Sequence, residues 1–207
     1  MEKAVFCQLE KLPFFTLESL RAQLGKDPLP FIKYNIKKKK LIGLKRGLYV
    51  TNEFLKKIKY QGRFEDYLEF MAGQLLSPSY LSLEYMLSKY ALLTESPFSL
   101  TAITLKTPRL IENPLATFAY FNIKKELFSG FQLIKKGAFQ LKYATPAKAL
   151  FDFLYLKKRT LKKIDKEVVQ ELRLNLEELK ISDWQEFENY LALTKSKKLK
   201  TLFKFLK

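Results

Sequence analysis

Residues 28–50, PLPFIKYNIKKKKLIGLKRGLYV, change periodicity halfway along and hold much of the chain's charge. The first half has a helical period. At 100° per residue, Ile32 and Ile36 lie within about 40° of each other with Phe31 at the edge of the stripe, and Lys33, Tyr34 and Lys37 project from the opposite side. Asn35, a residue type that reads adenine, falls nearer the buried stripe. The second half, LIGLKRGLYV, alternates around Lys45-Arg46-Gly47, where glycine supplies the positive φ that a tight hairpin needs. The expectation is a short basic helix running into a basic β-hairpin. Between Phe31 and Tyr60, nine lysines and one arginine stand against a single acid, Glu53, so this segment carries +9 of the total +17.

The flanks decide what that charge is for. Phe14 to Gly25, FFTLESLRAQLG, offers Thr16 as an N-cap, places Leu17, Leu20 and Leu24 on one face, and stops at Gly25. Lys26 to Pro30 form a turn in which Asp27 can cap and Pro28 can take the first helical position. Ala4 to Leu12 can supply an earlier helix. Helix, turn, helix and hairpin in that order describe a winged helix-turn-helix over residues 1–60. Its second helix would enter a major groove about 12 Å wide while the wing reaches neighbouring phosphates. The residues expected to face DNA are Lys33, Tyr34, Lys37, Lys38 and Lys40, with Lys45 and Arg46 on the wing. A lysine run alone is more often a solvated face, and it is the capped helix before and the glycine-tipped hairpin after that favour binding. Leu48 and Tyr49 read as core.

The whole composition is compatible with this. At 207 residues and 47% hydrophobic content, the chain can bury real cores in one large or two small domains. The balance of 38 Lys plus Arg against 21 Asp plus Glu attracts polyanions, either nucleic acid or an anionic membrane. A single cysteine, Cys7, allows no internal disulfide, and the N-terminus has no charged-then-apolar leader pattern, so a reducing cytoplasm is expected. Apolar runs such as FDFLYL fall far short of the roughly 20 residues that span a bilayer. With no histidine, neither a zinc site nor a histidine base is expected, and no cofactor is called for.

The polar stretch Thr51 to Arg63 reads as the boundary, with a second domain over 64–207. Phe64 to Leu76 reads as a helix. So does YLSLEYMLSKYALLTE, with Ser82 as N-cap and Leu83, Met86, Leu87 and Tyr90 on its apolar face. From Ser99 the period shifts toward two: SLTAITL, ATFAYFNI, GFQLI and AFQLKYA suggest a small, mainly antiparallel sheet of about four strands, the last two paired around Lys135-Lys136-Gly137. ATPAKALFDFLYL has Thr145 to cap, Pro146 in the first turn, and Ala149, Leu150, Phe153 and Leu154 facing inward. Lys148 and Asp152, four apart, can form a plain helical pair. The cluster Lys157, Lys158, Arg159, Lys162 and Lys163 either extends a basic track or is solvated. In Ser196 to Lys207, Leu199, Leu202, Phe203 and Leu206 share one face. Such a helix can lie on an anionic membrane, but docking on its neighbours is favoured. The fold class is therefore α+β, a winged helix followed by an α+β domain with a helical C-terminal end.

Three stretches carry a family resemblance. FTLESLRAQLG…YNIKKKKLIGLKRGLYV resembles the N-terminal winged helix of the AbiEi family, the antitoxin and regulator half of type IV toxin-antitoxin systems linked to abortive phage infection. YLSLEYMLSKYALL and ATPAKALFDFLYL are similar to two motifs of its second domain, as QELRLNLEEL is to a later stretch. Thr145, Pro146, Lys148 and Asp152 fall on the second motif. Two positions depart: Lys39 stands where many relatives turn on glycine, implying a differently shaped turn or a longer helix, and Ala147 stands where relatives carry glutamate. The resemblance implies a repressor of its own operon that binds promoter inverted repeats as a monomer or weak dimer. It further implies that the second domain counteracts a nucleotidyltransferase-like toxin without a tight complex.

The enzyme alternatives lack their residues. No Pro-Asp dipeptide occurs, Glu178-Leu179-Lys180 sits in a helical pattern, and the seven glycines are too scattered for a phosphate loop. The Glu65-Asp66 pair opens a helix, where acids favour the positive dipole end. The expectation is a non-enzymatic, cytoplasmic duplex-DNA-binding regulator. An orphan regulator without a toxin, a nuclease-type enzyme and a membrane-surface binder stand as alternatives.

Overall fold

Thr16 closes one element and opens the next. The structure, a computed structural model, describes residues 2–161 and 163–206. Helix α1 (Glu2–Leu9) buries Val5 and Leu9, and the two-residue strand β1 (Phe15–Thr16) follows. Helix α2 (Leu17–Leu24) starts with a capping box, in which the Thr16 hydroxyl accepts the Ser19 N–H and the Ser19 hydroxyl accepts the Thr16 N–H, both at 3.1 Å. It ends where Gly25 turns to φ 64° and donates to the Arg21 carbonyl at 3.0 Å. Leu20 and Leu24 are buried, as the leucine spacing predicts. The Asp27 carboxylate accepts the Leu29 N–H at 3.2 Å to open α3 (Leu29–Lys37).

Strands β2 (Leu41–Lys45) and β3 (Leu48–Thr51) form the expected hairpin, with Arg46 and Gly47 at its tip and Gly47 at φ 78°. β1 pairs with the other edge of β3, making a three-stranded sheet of order β1-β3-β2. Thr51 then caps α4 (Asn52–Tyr60) through a 3.1 Å bond from the Phe54 N–H. This corrects the reading of 51–63 as a polar boundary. Phe54, Leu55 and Ile58 recur at helical spacing and are buried, so the lysines between them are the wet side of an amphipathic helix.

Helix α5 (Phe64–Leu75) follows, then β4 (Ser79–Leu81), α6 (Leu83–Lys89), β5 (Leu100–Thr104), β6 (Arg109–Glu112) and β7 (Thr117–Asn122). After them come β8 (Phe131–Lys136), β9 (Phe139–Ala144), α7 (Pro146–Lys157), α8 (Lys166–Glu171), α9 (Ile181–Leu193) and α10 (Lys197–Leu206). The chain is thus α+β. Its second sheet has six strands in the order β6-β7-β5-β4-β9-β8 and is mixed, with parallel pairs β5–β7 and β4–β9 beside antiparallel β4–β5 and β8–β9. Two strands go beyond the four expected. Tyr80 and Leu81, read as the start of a helix, form β4 near the centre of the sheet, and α6 begins only after Ser82. β6 is exposed along most of its length and has no alternating pattern to reveal it.

The residues sort into two compact units, 1–71 with 111–117, and 72–110 with 118–207. The division thus falls inside α5 rather than at 51–63. In the second unit, α10 buries Leu199, Leu202 and Leu206 and stacks Phe203 on Phe187 with ring centroids 5.2 Å apart. The apolar face that could have lain on a membrane is covered by protein. Among the described residues, no helix is long and apolar enough to cross a membrane. Lys162 and Lys207, members of the two basic clusters, lie outside the described residues.

Candidate nucleic-acid interface

Helix α3 buries one face and leaves the other to solvent. Its inner face is Pro28, Phe31, Ile32 and Asn35, and Ile36 is 43% exposed. This corrects the predicted Ile32/Ile36 stripe. The buried set centres about 50° from Ile32 toward Phe31, which leaves Ile36 about 90° off the core direction. Asn35 is spent inside, its amide donating to the Phe31 carbonyl at 2.8 Å. Lys33 and Lys37 then point almost directly away from the core. Lys33, Tyr34, Lys37, Lys38 and Lys40 are all exposed, as are Lys45 and Arg46 at the hairpin. Among the described residues, no carboxylate pairs with Lys33, Lys37, Lys38 or Arg46. Lys38 sits 6.0 Å from the Tyr34 ring centroid, at the limit of a cation–π contact.

The end of α3 explains how the helix is held. Lys39 adopts φ 55°, the left-handed conformation that a glycine would take more cheaply. Its N–H donates to the Ile36 carbonyl at 2.9 Å and the Lys40 N–H to the Asn35 carbonyl at 2.8 Å, the paired bonds of a Schellman motif. Lys39 therefore closes the helix in the same kind of turn that a glycine would adopt, at a higher cost. Asn52 fastens the same turn, its backbone N–H donating to the Lys40 carbonyl at 2.8 Å and its side chain to the Lys39 carbonyl at 3.2 Å. Helix end and hairpin end are joined there. At the other side of the hairpin, the Asn113 side chain donates to the Leu44 carbonyl at 3.1 Å.

The second predicted motif occupies a different setting. Thr145 caps α7, its hydroxyl accepting the Lys148 N–H at 3.1 Å, and Pro146 fills the first turn. Lys148 and Asp152 do form the expected pair across one helical turn, at 2.5 Å, and both side chains are wholly buried. The other Asp152 oxygen accepts from Tyr80 at 2.9 Å and Ser82 at 2.8 Å. The Lys148 ammonium lies 4.9 Å from the Phe151 ring centroid and 5.1 Å from that of Tyr190. Glu186, from α9, accepts from both Thr145 at 2.7 Å and Tyr190 at 2.6 Å. Burial pushes the Lys148 amine down and the Asp152 carboxyl up, each opposed by the other's charge. Burial, with the Asp152 charge, holds the Tyr80 phenol far above its ordinary range.

Sequence reasoning missed Tyr80, Ser82, Glu186 and Tyr190 as members of this cluster. One signal was available: Ala147 to Tyr155 is apolar on every side, and a helix of that kind is buried with whatever charges it carries. With no route to solvent, Lys148 and Asp152 act as an internal brace between α7 and β4. The exposed chemistry of the two predicted sites lies on α3 and its hairpin. No protein-family model matches the chain, and no curated protein does.

Proposed function

We propose that the first unit is a winged helix-turn-helix that binds double-stranded DNA, with α3 in the major groove and the β2–β3 tip on flanking phosphates. The observation that carries this is the outward face of α3, where Lys33 and Lys37 stand opposite the core and pair with no carboxylate among the described residues. The hairpin with its Arg46-Gly47 tip supports it. On this reading the chain is a cytoplasmic transcriptional regulator, and its contacts are dominated by phosphate. Log affinity against log salt then falls with a slope of roughly −4 to −7, for about five to eight neutralised phosphates. A mobility-shift titration with a flat salt dependence overturns it.

Residue tests follow directly. Lys33→Ala and Lys37→Ala each weaken duplex binding by about 1 kcal/mol or more, and an effect that varies with base sequence marks a groove contact. Unchanged affinity in a Lys45→Ala, Arg46→Ala double variant removes the hairpin from the interface.

The resemblance to AbiEi antitoxins extends the proposal to a repressor of its own operon whose second unit counteracts a nucleotidyltransferase-like toxin. In support, Thr145, Pro146, Lys148 and Asp152 form one connected element, and Glu186 supplies a carboxylate beside the α7 N-terminus that Ala147 does not. Co-expression with the product of an adjacent nucleotidyltransferase-like gene is the test. Growth arrest that this chain fails to relieve leaves a DNA-binding regulator without antitoxin activity.

A further inference from the structure

A half-open groove of about 520 Å³ lies in the first unit, walled by α1, α3, the turn after α3, and α4. That volume is in the range of small-molecule sites, which combine an apolar wall with a few placed polar groups. The wall here is aromatic: Phe6 and Phe31 have ring centroids 6.2 Å apart, and Tyr34 lies beside them. Its charged groups are three lysines, Lys39, Lys40 and Lys56, and two acids, Glu10 and Glu53. Lys39 and Lys40 line the groove with no carboxylate partner among the described residues, and the Lys40 ammonium stands 5.6 Å from the Phe6 ring centroid. Lys56 is already paired with Glu53 at 3.3 Å. Glu10, on the α1 side, faces the same space and disfavours a second negative charge.

Lys39 adds a second observation, in a helix-ending turn that also accounts for its backbone. It holds a left-handed backbone that is strained for a non-glycine residue, at a position where glycine would relieve the strain. Glycine would also remove a cation from the groove. A strained residue whose side chain lines a cavity is the pattern in which strain is kept for a ligand. We propose that this groove binds a small, planar, singly charged aromatic carboxylate, its ring against Phe6, Phe31 and Tyr34 and its carboxylate between Lys39 and Lys40. Tyr34 and Lys40 also stand among the residues expected to face DNA, but binding here needs no duplex, so failure of this site and failure of the DNA interface are distinguishable.

Cys7 lines the groove and is the only cysteine, which makes it a reporter. The test follows its reaction with the neutral reagent 4,4′-dithiodipyridine in the full chain, with and without 2-naphthoate. The expected result is saturable slowing by 2-naphthoate. Naphthalene-2-methanol and 2,6-naphthalenedicarboxylate should each need about fivefold more for the same protection, because one lacks the charge and the other meets Glu10. Lys39→Gly should raise the half-protecting concentration about fivefold while raising the melting temperature, so lost protection cannot be ascribed to misfolding. Unchanged Cys7 reactivity up to about 10 mM 2-naphthoate overturns the proposal, as does equal protection in the Lys39→Gly chain.

Discussion

Lys37 and Lys148 are the same side chain in opposite settings. Lys37 ends an exposed helical face, keeps its hydration, and has no ion-pair partner among the described residues. Lys148 has lost all contact with water and is fixed by a carboxylate on one side and three aromatic rings around it. The contrast separates what a charge can do. A solvated cation costs little to place and remains available to a phosphate, whereas a desolvated one is expensive without its partner and available to nothing outside.

Removing that partner should give the largest effect. Asp152→Ala leaves a buried ammonium unpaired and should cost about 3–5 kcal/mol in urea unfolding, whereas Lys148→Met with Asp152→Leu costs clearly less. If Asp152→Ala costs under about 1 kcal/mol, the brace is not a brace. Next comes Gly130, at φ 71°, where an added Cβ would run into the Tyr190 hydroxyl. Gly130→Ala should destabilise by about 2 kcal/mol or more through backbone strain and loss of the Tyr190–Glu186 bond. By contrast, Lys37→Ala should change unfolding by no more than about 0.5 kcal/mol while weakening duplex binding, a separation that Asp152 variants cannot show.

Lys39→Gly should act with the opposite sign, stabilising by about 0.5–1 kcal/mol. Lys158 lies between the two extremes. Partial burial, together with Arg159 and Lys124, pushes its amine down to about 8, and it sits 3.6 Å from the Tyr155 ring centroid. A folded pKa below the unfolded value means the unfolded chain holds more protons, so this group's contribution makes stability rise between about pH 8 and 10.5. Lys158→Gln should flatten that rise. Mass-spectrometric mapping of limited acetylation near pH 8 should find Lys158 modified ahead of Lys33 and Lys37, and an equal rate would show that its surroundings do not matter.

What could be read from sequence was local. Thr16, Gly25 and Gly47 announce their conformations because their chemistry acts on residues within a few positions, and the exposed lysines of α3 follow from helical angle alone. The errors arose where distant segments decide. Ile36 was misassigned because the core direction of α3 is set by what packs against it. Tyr80 read as helical because its strand partners lie more than 20 residues on. The brace escaped because Asp152 meets Tyr80 and Ser82 from 72 and 70 positions away, and Thr145 meets Glu186 across 41. Separation along the chain, rather than subtlety of the motif, hid those partners.

The bond from Asn113 to the Leu44 carbonyl bears on how the molecule can be dissected. The first unit is discontinuous: residues 111–117 return to it, and the Tyr67 hydroxyl ties α5 to the Pro13 carbonyl at 2.8 Å. A fragment cut at residue 60 would lose both fastenings and expose the aromatic surface that Phe14 shares with Phe70. Weak DNA binding by such a fragment would measure the amputation, and substitutions in the intact chain are the cleaner scalpel.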